Sequence, residues 1–361
     1  ILDRRDLPES CIVLGAGVIL LTGLFDDMYG IAPRVKIGGQ FFAAAALASQ
    51  DVGIRIARQS FTAVQSVLRD LPLPAMLDPL LNTPAPSILV YVTGTLVIAF
   101  FIIGGCNSMN LLDGMDGLAS GVTAIAAMGF LLIAGLLAIR TLEAASAGAV
   151  VDVMAMNDAR RLIMCLAILG AVLGFLPYNF NPATIFMGDA GSLLLGYLCA
   201  ATMLMFAQTD DSFALLAVTA SLIVFALPIA DTSLAIFRRK MQGMSMSTPD
   251  ARHLHHLLRR SGLSVRQTVL SLYGVALVFM CLGVLLIAMD FRWRYVLAVA
   301  MVLYGFIFVT AYKFGLRYSA RLKTASTPDV EPAGPHLSQN PKAPMKLDDE
   351  PESQQQTSRD A

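Results

Sequence analysis

Apolar runs long enough to cross a bilayer fill most of this chain, and that leaves few folds open to it. In hydrocarbon each backbone polar group must find its partner inside the protein, and a helix does this within a single segment. A spanning helix needs roughly 20 mostly apolar residues, with a range of about 17–25. Nine stretches are candidates: 11–25, 36–50, 87–105, 118–140, 161–177, 191–208, 212–237, 268–289 and 294–313, of which 36–50 is short. Of the 361 residues 56% are hydrophobic and 14% charged, against about 25% charged in ordinary soluble domains. The expected fold class is all-α, a polytopic transmembrane helix bundle of about nine spans. The membrane-embedded domain is expected over 1–323. Residues 324–361, rich in Pro, polar and charged side chains, read as a disordered tail. Segment 51–86 is too polar to span, and its prolines read as an irregular extramembrane loop. Within it DVGIRIARQSF fits either a short hairpin or an interfacial helix.

Net charge is zero, so no basic field points to nucleic acid. The five cysteines lie in or beside apolar runs without metal-ligand spacing, and read as small buried side chains. No P-loop, GxGxxG or GxSxG motif is present.

Four polar segments interrupt the apolar runs, and each carries an Asp: GLFDDMYGIAPRVK, NSMNLLDGMDG, IFMGDAGS and STPDARHLHH. Alternation of spans puts all four on one side. The 238–267 loop on that side holds seven Arg and Lys residues, so the positive-inside rule makes it cytoplasmic. Arg160 and Arg161 fall on the opposite side, against the rule. Carboxylates at a bilayer surface are costly unless they bind a cation, pair with a base or face water.

The residue types suggest roles. Asp26 and Asp27 end a span, and two adjacent carboxylates repel unless a cation or proton intervenes. They suit Mg²⁺ coordination or general-base work, although an Asp pair also simply ends helices. Lys36 could reach a phosphate or serve as an interfacial anchor. Asn107, Asn110, Asp113 and Asp116 recur at three-residue steps, a spacing that lines one helix face with groups suited to a base or sugar edge. Asp189, between Gly188 and Gly191, opens a helix in a phosphate-friendly turn and could hold Mg²⁺ against a diphosphate. Asn179 lies just upstream. His253, His255 and His256 sit with Asp250, Arg252, Arg259 and Arg260. No Cys or further ligand spacing completes a zinc site there, and phosphate or sugar binding fits the arginines better. Asp231, inside a span, invites a functional reading.

Taken in order, GLFDD, KIGGQ, NSMNLLDGMDGLASG, NFNPATIFMGDAGS, PIADTSLAIFRR and SMSTPDARHLHH resemble the polyprenyl-phosphate N-acetylhexosamine-1-phosphate transferases, from about residue 20 to 275. The DxRHxHH loop is similar to that of the N-acetylglucosamine branch. The resemblance implies a Mg²⁺-dependent enzyme, with Mn²⁺ as a substitute. It would sit in the bacterial inner membrane with a cytoplasmic active site. It would move N-acetylglucosamine 1-phosphate from UDP-N-acetylglucosamine to undecaprenyl phosphate and release UMP. That is the first membrane step of envelope polysaccharide synthesis, lipopolysaccharide included. Asp26 and Asp27 would be catalytic, and Asp189 and Asp27 metal ligands. Lys36, Asn110, Asp113, Asp116, Asn179, Asp250, Arg252, His253, His255 and His256 would bind substrate. A homodimer is left open. Another UDP-N-acetylhexosamine or UDP-N-acetylmuramoyl-pentapeptide remains an alternative donor. A transporter or an inactive scaffold is the reading from another class. The family carries further helices before the Asp pair, and they are expected to be missing from a chain that begins at Ile1.

Overall fold

Spanning a bilayer with these sequences predicts helices that meet through small residues, since lipid tails give apolar side chains no reason to leave them. The computed structural model describes residues 7–49, 52–69, 86–209, 211–241, 243 and 253–289. Every long regular element among them is an α-helix: α1 (Leu7–Tyr29), α2 (Pro33–Ala48), α3 (Val52–Arg69), α4 (Ser87–Leu112), α5 (Leu118–Ser146), α6 (Asp152–Asn179), α7 (Gly188–Met205), α8 (Asp211–Val224), α9 (Ala226–Met241), α10 (Leu254–Arg260) and α11 (Val265–Ala288).

Six of these are long and apolar enough to span, and the α8–α9 pair makes a seventh if counted as one span. The expected count of nine is therefore not reached among the described residues. The short candidate 36–50 is α2, a 16-residue helix with Pro33 in its first turn, where a missing N–H costs nothing. The candidate 212–237 is two helices bent by 72°. Pro228 explains the break: it has no N–H for the Val224 carbonyl, and its ring would clash there, so a new helix begins at Ala226 with the proline in its first turn. The candidate 294–313, the prolines of 70–85 and the 324–361 tail lie outside the described residues. Within 51–86, residues 52–69 form α3 rather than an irregular loop. Of hairpin and helix the structure takes the helix, burying Ile56 and Ala57 against its neighbours, chiefly α4.

α7 is the central post, flanked by α1 and α4 and more lightly by α5 and α6. Glycines set its two closest crossings. A Cβ on Gly196 would lie 2.3 Å from the Gly105 carbonyl oxygen of α4. A Cβ on Gly23 of α1 would lie 2.4 Å from the Ala190 Cα. No larger residue permits either approach. Together they bring the end of α1, the end of α4 and the start of α7 to one place.

At the other end of α7, Arg161 of α6 is buried. It donates to Asp158 Oδ1 at 2.7 Å and to the Gln208 carbonyl at 3.1 Å. Its charge is neutralised within the protein, so it is no surface cation and does not count against the positive-inside pattern.

Candidate active site

Asp26 and Asp27 occupy the last turn of α1, where the chain reverses through Gly30 at φ +63°. The Ile31 amide donates to Asp26 Oδ1 at 2.9 Å. Asp27 reaches across to α7 and accepts from the Asp189 amide (2.8 Å) and the Ala190 amide (3.0 Å), one on each oxygen. It thus caps another helix, complementing the positive end of that helix. The amides expected to cradle a phosphate are held by Asp27 instead. Gly188 makes room: its φ is +67°, and a Cβ there would meet Asp27 Oδ2 at 2.7 Å.

Lys36, one turn into α2, ties the pair to Asp189. Its ammonium contacts the Asp26 carboxylate and donates to Asp189 Oδ2 at 2.6 Å. Asn110 of α4 donates to Asp189 Oδ1 at 2.9 Å and to Ser192 Oγ at 3.0 Å. Asp189 therefore collects groups from α2 and α4 on its two oxygens, beside the end of α1.

α4 ends at Leu112, and Asp113 is no longer helical. The three-residue steps therefore do not continue as one helix face to Asp116; Gly114 and Gly117, the latter at φ +78°, open a turn instead. Asp113 is half-buried, and its carboxylate has no hydrogen-bond partner among the described residues. Burial pushes its carboxyl up to about 6, helped by the charges of Asp189 and Asp27. Asp116 Oδ2 accepts from Asn181 Nδ2 (2.9 Å) and the Ala183 amide (3.1 Å). Asn179 is buried, accepting from the Gly117 amide (3.2 Å) and Ser120 Oγ (2.7 Å) and donating to the Ile185 carbonyl at 3.1 Å. The Tyr273 hydroxyl donates to the Gly117 carbonyl. Asp116 and Asn179 brace the two loops.

A cavity of 330 Å³ opens between this turn and α7, lined by Asn110, Asp113, Asp116, Asp189 and Phe186 among others. Phe186 is 75% exposed, and nothing in the sequence reading singled it out.

α10 covers the turn. Buried Asp231 of α9 lies 2.9 Å from His253 Nδ1, and its other oxygen accepts the Leu254 amide at 2.8 Å. His253 is thereby oriented and α10 capped. His255 packs on Gly114, where a Cβ would lie 2.6 Å from its Nε2. Its ring is buried, and both nitrogens lack partners. Burial first, then neighbouring His256, lowers its pKa to about 4. Only His256 of the three is half-exposed. Asp250 and Arg252 lie outside the described residues.

A divalent cation fits the donor set. Among the described residues no three or more His, Cys, Asp or Glu side chains form a ready cage. Mg²⁺, however, commonly takes one or two carboxylates and completes its shell with substrate phosphates and water. Asp113, unpartnered and crowded by negative charge, is the carboxylate most in need of such an ion.

The sequence profile described as glycosyl transferase family 4 matches residues 10–207, more than half of the chain. The chain belongs to this family. A family relative in Bacillus subtilis (strain 168), a probable undecaprenyl-phosphate N-acetylglucosaminyl 1-phosphate transferase, is 32% identical over 75% of this chain and 63% of its own length. The decaprenyl-phosphate N-acetylglucosaminephosphotransferase of Mycolicibacterium smegmatis (strain ATCC 700084 / mc(2)155) is 34% identical over 73% of this chain and 59% of its own. The undecaprenyl-phosphate alpha-N-acetylglucosaminyl 1-phosphate transferase of Yersinia pestis is 26% identical over 90% and 81%. The chain thus spans 63% and 59% of the first two relatives.

Proposed function

We propose that this glycosyl transferase family 4 chain carries the catalytic centre of a polytopic membrane enzyme. It transfers N-acetylglucosamine 1-phosphate from UDP-N-acetylglucosamine to a polyprenyl phosphate and releases UMP. The observation that carries this reading is the convergence of Asp26, Lys36, Asn110, Asp113 and Asp189 from four helices and a turn, with Asn110, Asp113 and Asp189 lining one cavity. The names of the relatives favour the donor and the acceptor class.

Acceptor and donor both bring negative charge, so the reaction needs fixed positive charge and fixed donors. Lys36 supplies the first and Asn110 orients Asp189 to receive it. Asp113 and Asp189 would hold Mg²⁺, which would screen the diphosphate when bound. Phe186 offers a stacking face for the uracil ring. A second, apolar cavity of 420 Å³ runs between α4, α8, α9 and α11, lined by Phe100, Gly105, Ser108, Ile223, Ile229 and Phe279 among others. It suits the acceptor's prenyl tail and ends on the helix that carries Asn110.

In the direct route, an acceptor phosphate oxygen attacks the β-phosphorus of the donor, the bond to the α-phosphate breaks, and UMP leaves. Asp26 takes the acceptor's proton where one remains. The geometry favours this route over a covalent aspartyl phosphate. Asp27 spends each oxygen on an α7 amide, and Asp26 is held by Lys36 and the Ile31 amide. The cationic last turn of α9 (Arg238, Arg239, Lys240) and of α10 (Arg259, Arg260) supports a cytoplasmic site in the bacterial inner membrane.

The test is mass-spectrometric detection of polyprenyl-diphosphate-N-acetylglucosamine formed by purified protein. Lys36→Met should abolish the product, and digests of protein incubated with donor alone should show no Asp carrying N-acetylglucosamine 1-phosphate. N-acetylglucosamine 1-phosphate bound to Asp26 or Asp27 would overturn the direct route.

A further inference from the structure

Below the site lies a polar pair with no place in the chemistry above. Gln40 is fully buried and sits on α2 one turn from Lys36. Asn107 sits on α4 one turn from Asn110. Asn107 Nδ2 donates to Gln40 Oε1 at 2.9 Å and to the Ile103 carbonyl at 2.7 Å. Gln40 Nε2 is buried without a partner. A leucine at position 40 would bury no polar group of its own, whereas Gln40 buries an unpaired Nε2, so stability alone does not account for glutamine there.

Register does. Apolar side chains between helices tolerate sliding, whereas one buried polar pair specifies a single alignment at some cost in stability. The neighbouring residue makes the same helix exact on its other side: a Cβ on Gly39 would lie 2.3 Å from Thr22 Oγ1 of α1. α2 is thus fixed between α1 and α4. These helices carry Asp26 and Asn110, and α2 itself carries Lys36. A lysine ammonium is a point charge on a flexible stem. It stays between two carboxylates only if its backbone is held at the right height.

We propose that Gln40 and Asn107 are positioning residues whose hydrogen bond sets the register of α2 against α4 and so keeps Lys36 on Asp189. Their effect on turnover rests on the proposed transferase reading; their effect on Lys36 does not.

The experiment uses the full chain in lipid nanodiscs and compares wild type, Gln40→Leu, and the swap Gln40→Asn with Asn107→Gln. Lys36 acylation by a water-soluble acetyl ester is followed by mass spectrometry, with exposed Lys240 as internal reference. UMP release is followed in parallel. Gln40→Leu should melt no lower than wild type. Its Lys36 should acylate about tenfold faster, and its kcat should fall about tenfold, equivalent to ~1.4 kcal/mol, with the donor KM changed less than about twofold. The swap should restore Lys36 protection. Wild-type labelling of Lys36 in folded Gln40→Leu would overturn the proposal. So would equal acceleration in Ile102→Ala, a core variant that leaves the pair intact. If wild type releases no UMP, the transferase reading fails while the labelling result still decides the positioning role.

Discussion

Gly188→Ala separates two reasons for a glycine at the start of α7. The first is backbone: a residue with a Cβ at φ +67° carries roughly 1–2 kcal/mol of strain. The second is Asp27, whose Oδ2 would lie 2.7 Å from that Cβ. The carboxylate must then release at least one of the Asp189 and Ala190 amides. A hydrogen bond to a charged group contributes about 1.5–3 kcal/mol. The sum is about 2.5–5 kcal/mol, concentrated where Asp189 is positioned. We expect at least a tenfold loss of UMP release and faster amide exchange over the first turn of α7, with the helix bundle intact. Gly188→Asn sharpens the test. Asn tolerates the left-handed conformation but still brings a Cβ, so it should rescue little. In an Asp27→Ala background the Gly188→Ala effect should shrink to the strain contribution. Full rescue by Asn, or an undiminished effect without Asp27, would refute the contact argument.

Other perturbations reach other parts of the structure. His255 has a folded pKa near 4, below the ordinary value of about 6.5. Between those values the opened loop binds more protons than the closed one. The contribution of its burial is full above pH 6.5 and is lost as pH falls toward 4, about 3 kcal/mol in all. Asp231, His253 and His256 face the same ring. Protection factors of α10 amides should fall across that window, and His255→Phe should flatten the dependence. At the far end, Arg161→Leu strands Asp158 in the interior and should cost about 3–5 kcal/mol, read as a lowered melting temperature. The double variant with Asp158→Leu should recover most of it.

Which residues meet at the site was largely legible in the sequence, and much of their geometry was not. Asp26, Lys36, Asn110 and Asp189 were singled out by residue type and by the order of their motifs, and the structure brings them together. That Asp27 caps α7 was invisible, because 162 residues separate it from the Asp189 amide. The steps from Asn107 to Asp116 imitate helical spacing, but the helix ends at Leu112, and Asp116 falls in the turn before the next helix begins after Gly117. Pro228 was present in the sequence, and its bend could have been read from the missing N–H at that position. Arg161 looked like a misplaced surface charge; only packing shows that Asp158, three residues away, neutralises it. For α3 the sequence left hairpin and helix open over its first part, although Val52, Ile56 and Ala57 already keep helical spacing.

Release of UMP from UDP-N-acetylglucosamine tests the central claim most directly, with purified protein, undecaprenyl phosphate, with and without Mg²⁺, and with Asp189→Asn alongside. The account predicts release that requires both acceptor and Mg²⁺ and falls by at least a hundredfold, ~2.7 kcal/mol, in the variant. Release that ignores the acceptor, or that survives in Asp189→Asn, would contradict it.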